Sequence, residues 1–275
     1  MPSCKYYDRL MTFPVELHVF GREIPAHPIL ETAGYIAGFQ MYLLLRRRST
    51  FARVADEPTV WIIAGCIVGA LLGSKLLAIV ESFPDYWQAR GSLFNWFAGK
   101  TIVGGLLGGW MGVEIVKHRL RVRTRTGDLF VFPLILGIAI GRIGCFLTGL
   151  PDHTHGLHSN APWAVDFGDG PRHPTQLYEI AMLALIAIAL FVRSRHSFRC
   201  GDLFRWFVLG YLTFRFAVDF IKPVYTWPIV HISAIQVSSA VGAIVALRQL
   251  IRKEVDHLGP SAAAVAATGA AAQAE

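Results

Sequence analysis

Charge is what this sequence has least of. Only 16% of its 275 residues are Asp, Glu, Lys or Arg, where a soluble globular chain carries about 25%. Hydrophobic residues make up 53%, and mean hydropathy is +0.45. That balance excludes an ordinary soluble domain and points to a polytopic membrane protein. Cysteine is also scarce. Cys4, Cys66, Cys145 and Cys200 form no close pair, and two lie in apolar runs, so neither a disulfide framework nor a cysteine metal set is implied. No internal repeat is present, and so no pair of broken helices of the kind that transporters use. Residues 1–25 are too polar and interrupted for a cleaved signal peptide. They are expected to form an external, interfacial segment.

What the chain does have is a charge where charge is costly. Arg142 sits within Leu134-Ile-Leu-Gly-Ile-Ala-Ile-Gly-Arg142-Ile-Gly-Cys-Phe-Leu-Thr-Gly149, a stretch apolar enough to lie in a bilayer. A guanidinium there costs roughly 2.5–3.5 kcal/mol on insertion scales, so it must be paired or used. Phosphate is the anion that arginine suits best.

Seven apolar runs, at about 28–45, 58–80, 96–116, 129–149, 176–192, 203–221 and 229–247, approach the ~20 residues a spanning helix needs. The gaps alternate in charge. Arg46, Arg47, Arg48 and Arg53 follow the first run, Lys117 to Arg125 the third, Arg193, Arg195 and Arg199 the fifth, and Arg248, Arg252 and Lys253 the seventh. The intervening gaps are poor in Lys and Arg. The positive-inside rule then predicts an all-α protein of seven transmembrane helices, N-terminus outside and C-terminus cytoplasmic. Its parts are an external segment over 1–25, a membrane domain over 26–254 and a disordered Ala-rich tail over 255–275. The net charge of +7 is explained by these basic gaps. The Lys117–Arg125 loop reads more simply as a solvated segment touching anionic lipid than as a DNA or partner contact, and no nucleic-acid partner is expected.

Within and beside the runs lie Glu31, Lys75, Lys100, Glu114, Arg142, Glu179, Arg205, Arg215, Asp219 and Lys222. Arg205 can snorkel to an interface, and Lys75 can snorkel or pair. Glu31 is either a charge favoured by a helix N-terminus or a site carboxylate. Tyr211, Arg215, Asp219 and Lys222 follow one another at spacings that line one helix face. With Arg142 they can converge on a phosphate near the outer leaflet. The alternative is a structural ion-pair network. The following loop holds Asp152, His153, His155, His158, Asp166, Asp169, Arg172 and His173. His-x-His-x-x-His lacks the helical H-E-x-x-H or Cys partners of a metal site, so no metal is expected. Pro174 and Thr175 can open the next helix, with Gln176, Tyr178 and Glu179 in its first turns.

Gly141-Arg-Ile-Gly144-Cys-Phe resembles the G-R-I-G-N-F signature of bacterial prolipoprotein diacylglyceryl transferases, and Arg172-His-Pro-Thr-Gln-Leu-Tyr-Glu179 their R-H-P-S-Q-L-Y-E. Gly104-Gly-Leu-Leu-Gly108 is similar to their glycine-rich third helix, Tyr211-x3-Arg215-x3-Asp219-x2-Lys222 to a Y-x3-R-x3-E-x2-R motif, and Gln236 to a glutamine of the seventh helix. The resemblance implies a multi-pass enzyme of the bacterial plasma (inner) membrane, with its site toward the outer leaflet. It would move the diacylglyceryl group of phosphatidylglycerol, or a related anionic phospholipid, to the lipobox cysteine of a prolipoprotein. No metal or organic cofactor is implied. Arg142 and Arg215 would act on the departing phosphate, and Gly104, Gly105, Gly141, Gly144, Gln176, Tyr178, Glu179, Tyr211, Asp219, Lys222 and Gln236 would bind substrate.

The departures from the pattern bear on the chemistry. Val103 stands where the family has a histidine, Cys145 where it has asparagine, Thr148-Gly149-Leu150 where it has N-x-E, and Glu31 where it has tyrosine. Valine accepts no proton. Glu31, His153 and His155 are the candidate substitutes. Two readings follow: a transferase or a close variant of one, and a catalytically altered homologue that binds phospholipid.

Overall fold

The computed structural model describes residues 13–19, 22–48, 56–88, 99–123, 125–196, 199–223, 226 and 232–251. The 255–275 tail, Arg53, Arg252 and Lys253 lie outside the described residues, as do parts of the third and seventh predicted runs. The chain is mostly helical. Among the described residues there are seven helices of 17 residues or more: α1 (Ala26–Arg48), α2 (Asp56–Glu81), α3 (Ile102–Leu120), α4 (Val131–Thr148), α5 (Thr175–Ser194), α6 (Asp202–Val218) and α7 (Ala234–Ile251).

Among the described residues four stretches are long and apolar enough to cross a membrane: Pro58–Glu81, Gly127–Thr148, Thr175–Ser194 and Ala234–Ile251. The surface of the bundle agrees with a lipid surrounding. Leu71 is 66% exposed, Leu185 60% and Ile251 70%, which a water-facing surface does not tolerate in such number. Helices α1, α3 and α6 carry more charge, including Glu31, Glu114, Lys117, Arg205 and Arg215.

Among the described residues strand pairing enters at two places where the sequence suggested none. β1 (Glu16–Val19) pairs antiparallel with β2 (Arg22–Pro25) just before α1. β3 (Val165–Asp166) pairs with β4 (Pro171–Arg172) in the loop before α5. The second hairpin is held by Asp166, whose carboxylate accepts the N–H groups of Gly168 (2.8 Å) and Gly170 (3.0 Å). Both glycines have positive φ, which a side chain would strain.

Helix ends have local causes. Thr101 sits at the N-cap of α3 and its hydroxyl accepts the N–H of Gly104, so this helix starts later than the predicted run. Ser233 and Gln236 cap α7 reciprocally: the Ser233 N–H donates to Gln236 Oε1 at 2.9 Å, and the Gln236 N–H to Ser233 Oγ at 3.0 Å. Helix α6 ends at Val218 and continues as a 3-10 turn over Asp219–Ile221. Lys222 is extended because Pro223 follows it. The single helical face expected for Arg215, Asp219 and Lys222 is therefore broken before its last member.

Packing rests on glycine. In α2 and α3 the backbones nearly touch: a Cβ on Gly69 would lie 2.3 Å from the Gly108 carbonyl, and one on Gly73 2.4 Å from that of Gly104. Helices α1 and α4 meet in the same manner, Gly34 against Gly137 and Gly38 against Pro133. Without a hydrophobic drive between helices in lipid, such close approach supplies the van der Waals contact that holds them. The α1–α4 pair continues through α5 to α6 and α7, and α7 packs against the α2–α3 pair. The result is a horseshoe, with a gap where α2–α3 faces α1–α4.

Candidate active site

That gap is a cavity of about 2790 Å³, several times the ~300–1,000 Å³ of a small-molecule site. Its walls are apolar: Ile67, Ala70 and Leu71 of α2, Val103 and Leu106 of α3, Leu134 and Ile138 of α4. Charged side chains reach it at both ends: Glu114, Lys117, Arg123, Arg125 and Arg205 near the end of α3 and the start of α6, and a second set, the Arg142 end, where the start of α1, the end of α4 and the end of α6 meet. His27, Glu31, Lys75, Lys100, Arg142, Asp152, His153, Arg215 and Lys222 all reach the cavity there.

Beside it lies a buried ion network. Glu179 of α5 is 1% exposed and ties three helices together. It accepts the Tyr211 hydroxyl at 2.7 Å and Arg215 Nη1 at 3.1 Å. Arg142 Nε lies 2.9 Å from its second oxygen, close but off the N–H axis, so this contact is an ion pair without a directed hydrogen bond. Arg215 Nη2 also donates to Asp219 at 3.0 Å. Arg142, Arg215 and Lys222 line the cavity, whereas Glu179 and Asp219 stand behind them. The basic side chains thus face an apolar space, with their carboxylate partners behind them.

A second cluster lies at the same end. Lys100 donates to Glu31, as does the Tyr35 hydroxyl at 2.6 Å. His27, one turn before Glu31, places Nε2 3.6 Å from the Glu31 carboxylate and Nδ1 3.7 Å from Asp152. Gly144 makes room for this ring, since a Cβ there would lie 3.4 Å from His27 Nδ1. Sequence reasoning missed His27. Its signal was the i, i+4 spacing to Glu31.

The remaining candidate residues divide by position. Gly105 and Gly141 line the cavity; Gly104 is taken up in the contact with Gly73. Gln176 is buried and donates to the Thr154 hydroxyl at 3.1 Å. Tyr178 bonds outward, accepting Trp163 Nε1 at 2.7 Å, with His173 Nδ1 2.9 Å away. Gln236 serves the α7 cap and the Phe216 carbonyl. Of the three substitute bases, Glu31 and His153 reach the cavity, and His155 does not. His155 instead packs against Phe167. Burial, then the Arg172 guanidinium, pushes its imidazole below the usual range. Val103 is 1% exposed and belongs to the apolar core with Leu106 and Tyr211. Lys75 donates to the Gly99 carbonyl at 2.7 Å, and Arg205 pairs with Asp202 at 3.0 Å.

Residues 14–252 match the family model described as prolipoprotein diacylglyceryl transferase. Similar curated proteins carry the name phosphatidylglycerol–prolipoprotein diacylglyceryl transferase. That of Bordetella parapertussis is 32% identical over 200 residues, 68% of this chain and 75% of the relative. That of Nitratidesulfovibrio vulgaris is 33% identical over 201 residues, 69% and 73%. That of Idiomarina loihiensis is 29% identical over 266 residues, 91% and 94%. No solved structure matches the chain at a significant level.

Proposed function

The chain belongs to the prolipoprotein diacylglyceryl transferase family, and we propose that it transfers the diacylglyceryl group of phosphatidylglycerol to the cysteine thiol of a prolipoprotein at the Arg142 end of this cavity. The observation that carries the proposal is the arrangement of Arg142, Arg215 and Lys222 toward a lipid-sized apolar space, with Glu179 and Asp219 behind them. Acyl chains would lie along α2, α3 and α4. The phosphate would meet guanidinium donors already fixed by Glu179. Negative charge grows on that phosphate as glycerol phosphate departs, and fixed donors in a dry site stabilise it without reorganising.

The basic gaps support a reading of seven spans with the N-terminus outside, on which the Arg142 end of the cavity would lie in the outer half of a bacterial inner membrane. On this reading 26–254 is the membrane domain. A second reading, a phospholipid-binding homologue with altered chemistry, is favoured by Val103, which stands at the family's histidine position inside the apolar core.

One experiment separates the two. The purified chain is incubated in phosphatidylglycerol vesicles with a lipobox peptide. A diacylglyceryl mass gain on the peptide, matched by released glycerol phosphate, is expected. Phospholipid binding without transfer would replace the enzyme with the second reading.

A further inference from the structure

Three side chains from separate elements meet beside the phosphate site. His27 opens α1, Cys145 lies in the last turn of α4, and Asp152 ends the 3-10 turn that follows. One ligand atom from each lies within 4.8 Å of the others. A sulfur, an imidazole nitrogen and a carboxylate oxygen form a donor set that suits zinc and not Mg2+ or Ca2+, which prefer oxygen alone. We propose that His27, Cys145 and Asp152 form a three-ligand site for a zinc-class divalent cation, with its fourth position open to the cavity.

The surroundings of the three donors are those a metal site needs. His27 Nδ1 is buried with no hydrogen-bond partner, while Nε2 faces the Glu31 carboxylate at 3.6 Å. A ligating histidine is held in this way, one nitrogen to the metal and the other to a carboxylate. Glu31 is fixed in turn by Tyr35 and Lys100. Asp152 offers Oδ1 toward His27 and uses Oδ2 to accept the Thr154 hydroxyl, which itself accepts from Gln176. Cys145 Sγ lies 3.6 Å from Arg142 Nη1. Each donor therefore has one supporting partner. All three residues line the cavity. Three protein ligands with an open position is the catalytic arrangement of zinc, as against the closed four-ligand structural one.

The site's chemical role rests on the transferase reading; its existence does not. A thiol bound to zinc is deprotonated outright, which meets the need left by Val103. The acceptor cysteine would give its proton to water at the cavity mouth as its sulfur takes the fourth position. A sulfur lone pair then forms the C–S bond to the glyceryl carbon that bears the phosphate. The C–O bond to phosphate breaks, and its electron pair leaves with glycerol phosphate beside Arg142 and Arg215.

The test uses the full chain purified in detergent without chelator, with zinc as probe. One zinc per chain is expected by elemental analysis, lost in Cys145→Ser and in His27→Ala. Glu31→Gln should weaken zinc binding about 10–100-fold. Cobalt in place of zinc should show a thiolate charge-transfer band in the wild type, absent in Cys145→Ser. Zinc should raise the melting temperature of the wild type but not of Cys145→Ser, which separates loss of the site from loss of the fold. A wild type without stoichiometric zinc and without the cobalt band, or a zinc content unchanged in both variants, overturns the site. Chelation should abolish peptide lipidation and added zinc restore it; transfer indifferent to chelation overturns the role in thiol activation. If zinc binds and is lost in the variants but no state transfers lipid, the transferase reading fails and the site stands.

Discussion

Arg142 and Arg215 do two jobs at once, and substitution can separate them. Each neutralises Glu179 inside the bundle, so truncating either leaves a buried carboxylate short of a partner, a cost of about 3–5 kcal/mol. Each also faces the cavity. Arg142→Lys and Arg215→Lys keep the charge but lose the planar fork. We expect both lysine variants to fold, by thermal unfolding, while lipidation of a lipobox peptide falls about 100-fold or more, the scale of losing one fixed donor to a developing anion. Wild-type turnover in both would remove the arginines from the chemistry. The network was largely legible in the sequence: a guanidinium in an apolar run and the 211, 215, 219 spacing announce it. The His27, Cys145 and Asp152 cluster was not, since its members come from three elements that only the α1–α4 packing brings together. Lys222 leaves the helix face expected of it for a local reason, the proline that follows it, yet it still lines the cavity with Arg142 and Arg215.

At the scale of elements, the glycine contacts decide which helices meet. Gly108→Leu puts a side chain where even a Cβ lies 2.2 Å from the Gly69 carbonyl, and should abolish the monodisperse peak in size-exclusion chromatography by forcing α2 from α3. Gly141→Ala is the contrast. It also sits in a glycine-rich helix, yet a Cβ there meets nothing within 4 Å. This variant should elute and melt like the wild type, so that any loss of transfer reports on the cavity wall. A collapsed Gly141→Ala protein would show that packing at α4 is tighter than this. The helices themselves were readable because apolar runs near 20 residues leave few alternatives. The β3–β4 hairpin was not. It depends on one carboxylate gathering two glycine N–H groups, a contact without periodicity.

For the whole molecule, the orientation in the bilayer is the next quantity to measure. Cys200 is exposed in the gap between α5 and α6, a gap that carries Arg193, Arg195 and Arg199. An impermeant maleimide should leave it unlabelled in intact cells and label it after permeabilisation, with Cys200→Ser as the blank. Ser159→Cys, in the loop before α5, should show the reverse. Labelling of Cys200 from outside would invert the molecule and move the Arg142 end of the cavity to the cytoplasmic leaflet. The horseshoe has a further consequence. Its gap lies between helix pairs whose outer surfaces carry exposed apolar side chains, and Tyr35 and Leu71 on its rim are themselves 67% and 66% exposed. A phospholipid can slide in sideways with its tails never leaving hydrocarbon. The concentration that governs such an enzyme is a mole fraction in two dimensions: diluting the donor with inert lipid slows it, while adding more vesicles of unchanged composition does not speed it.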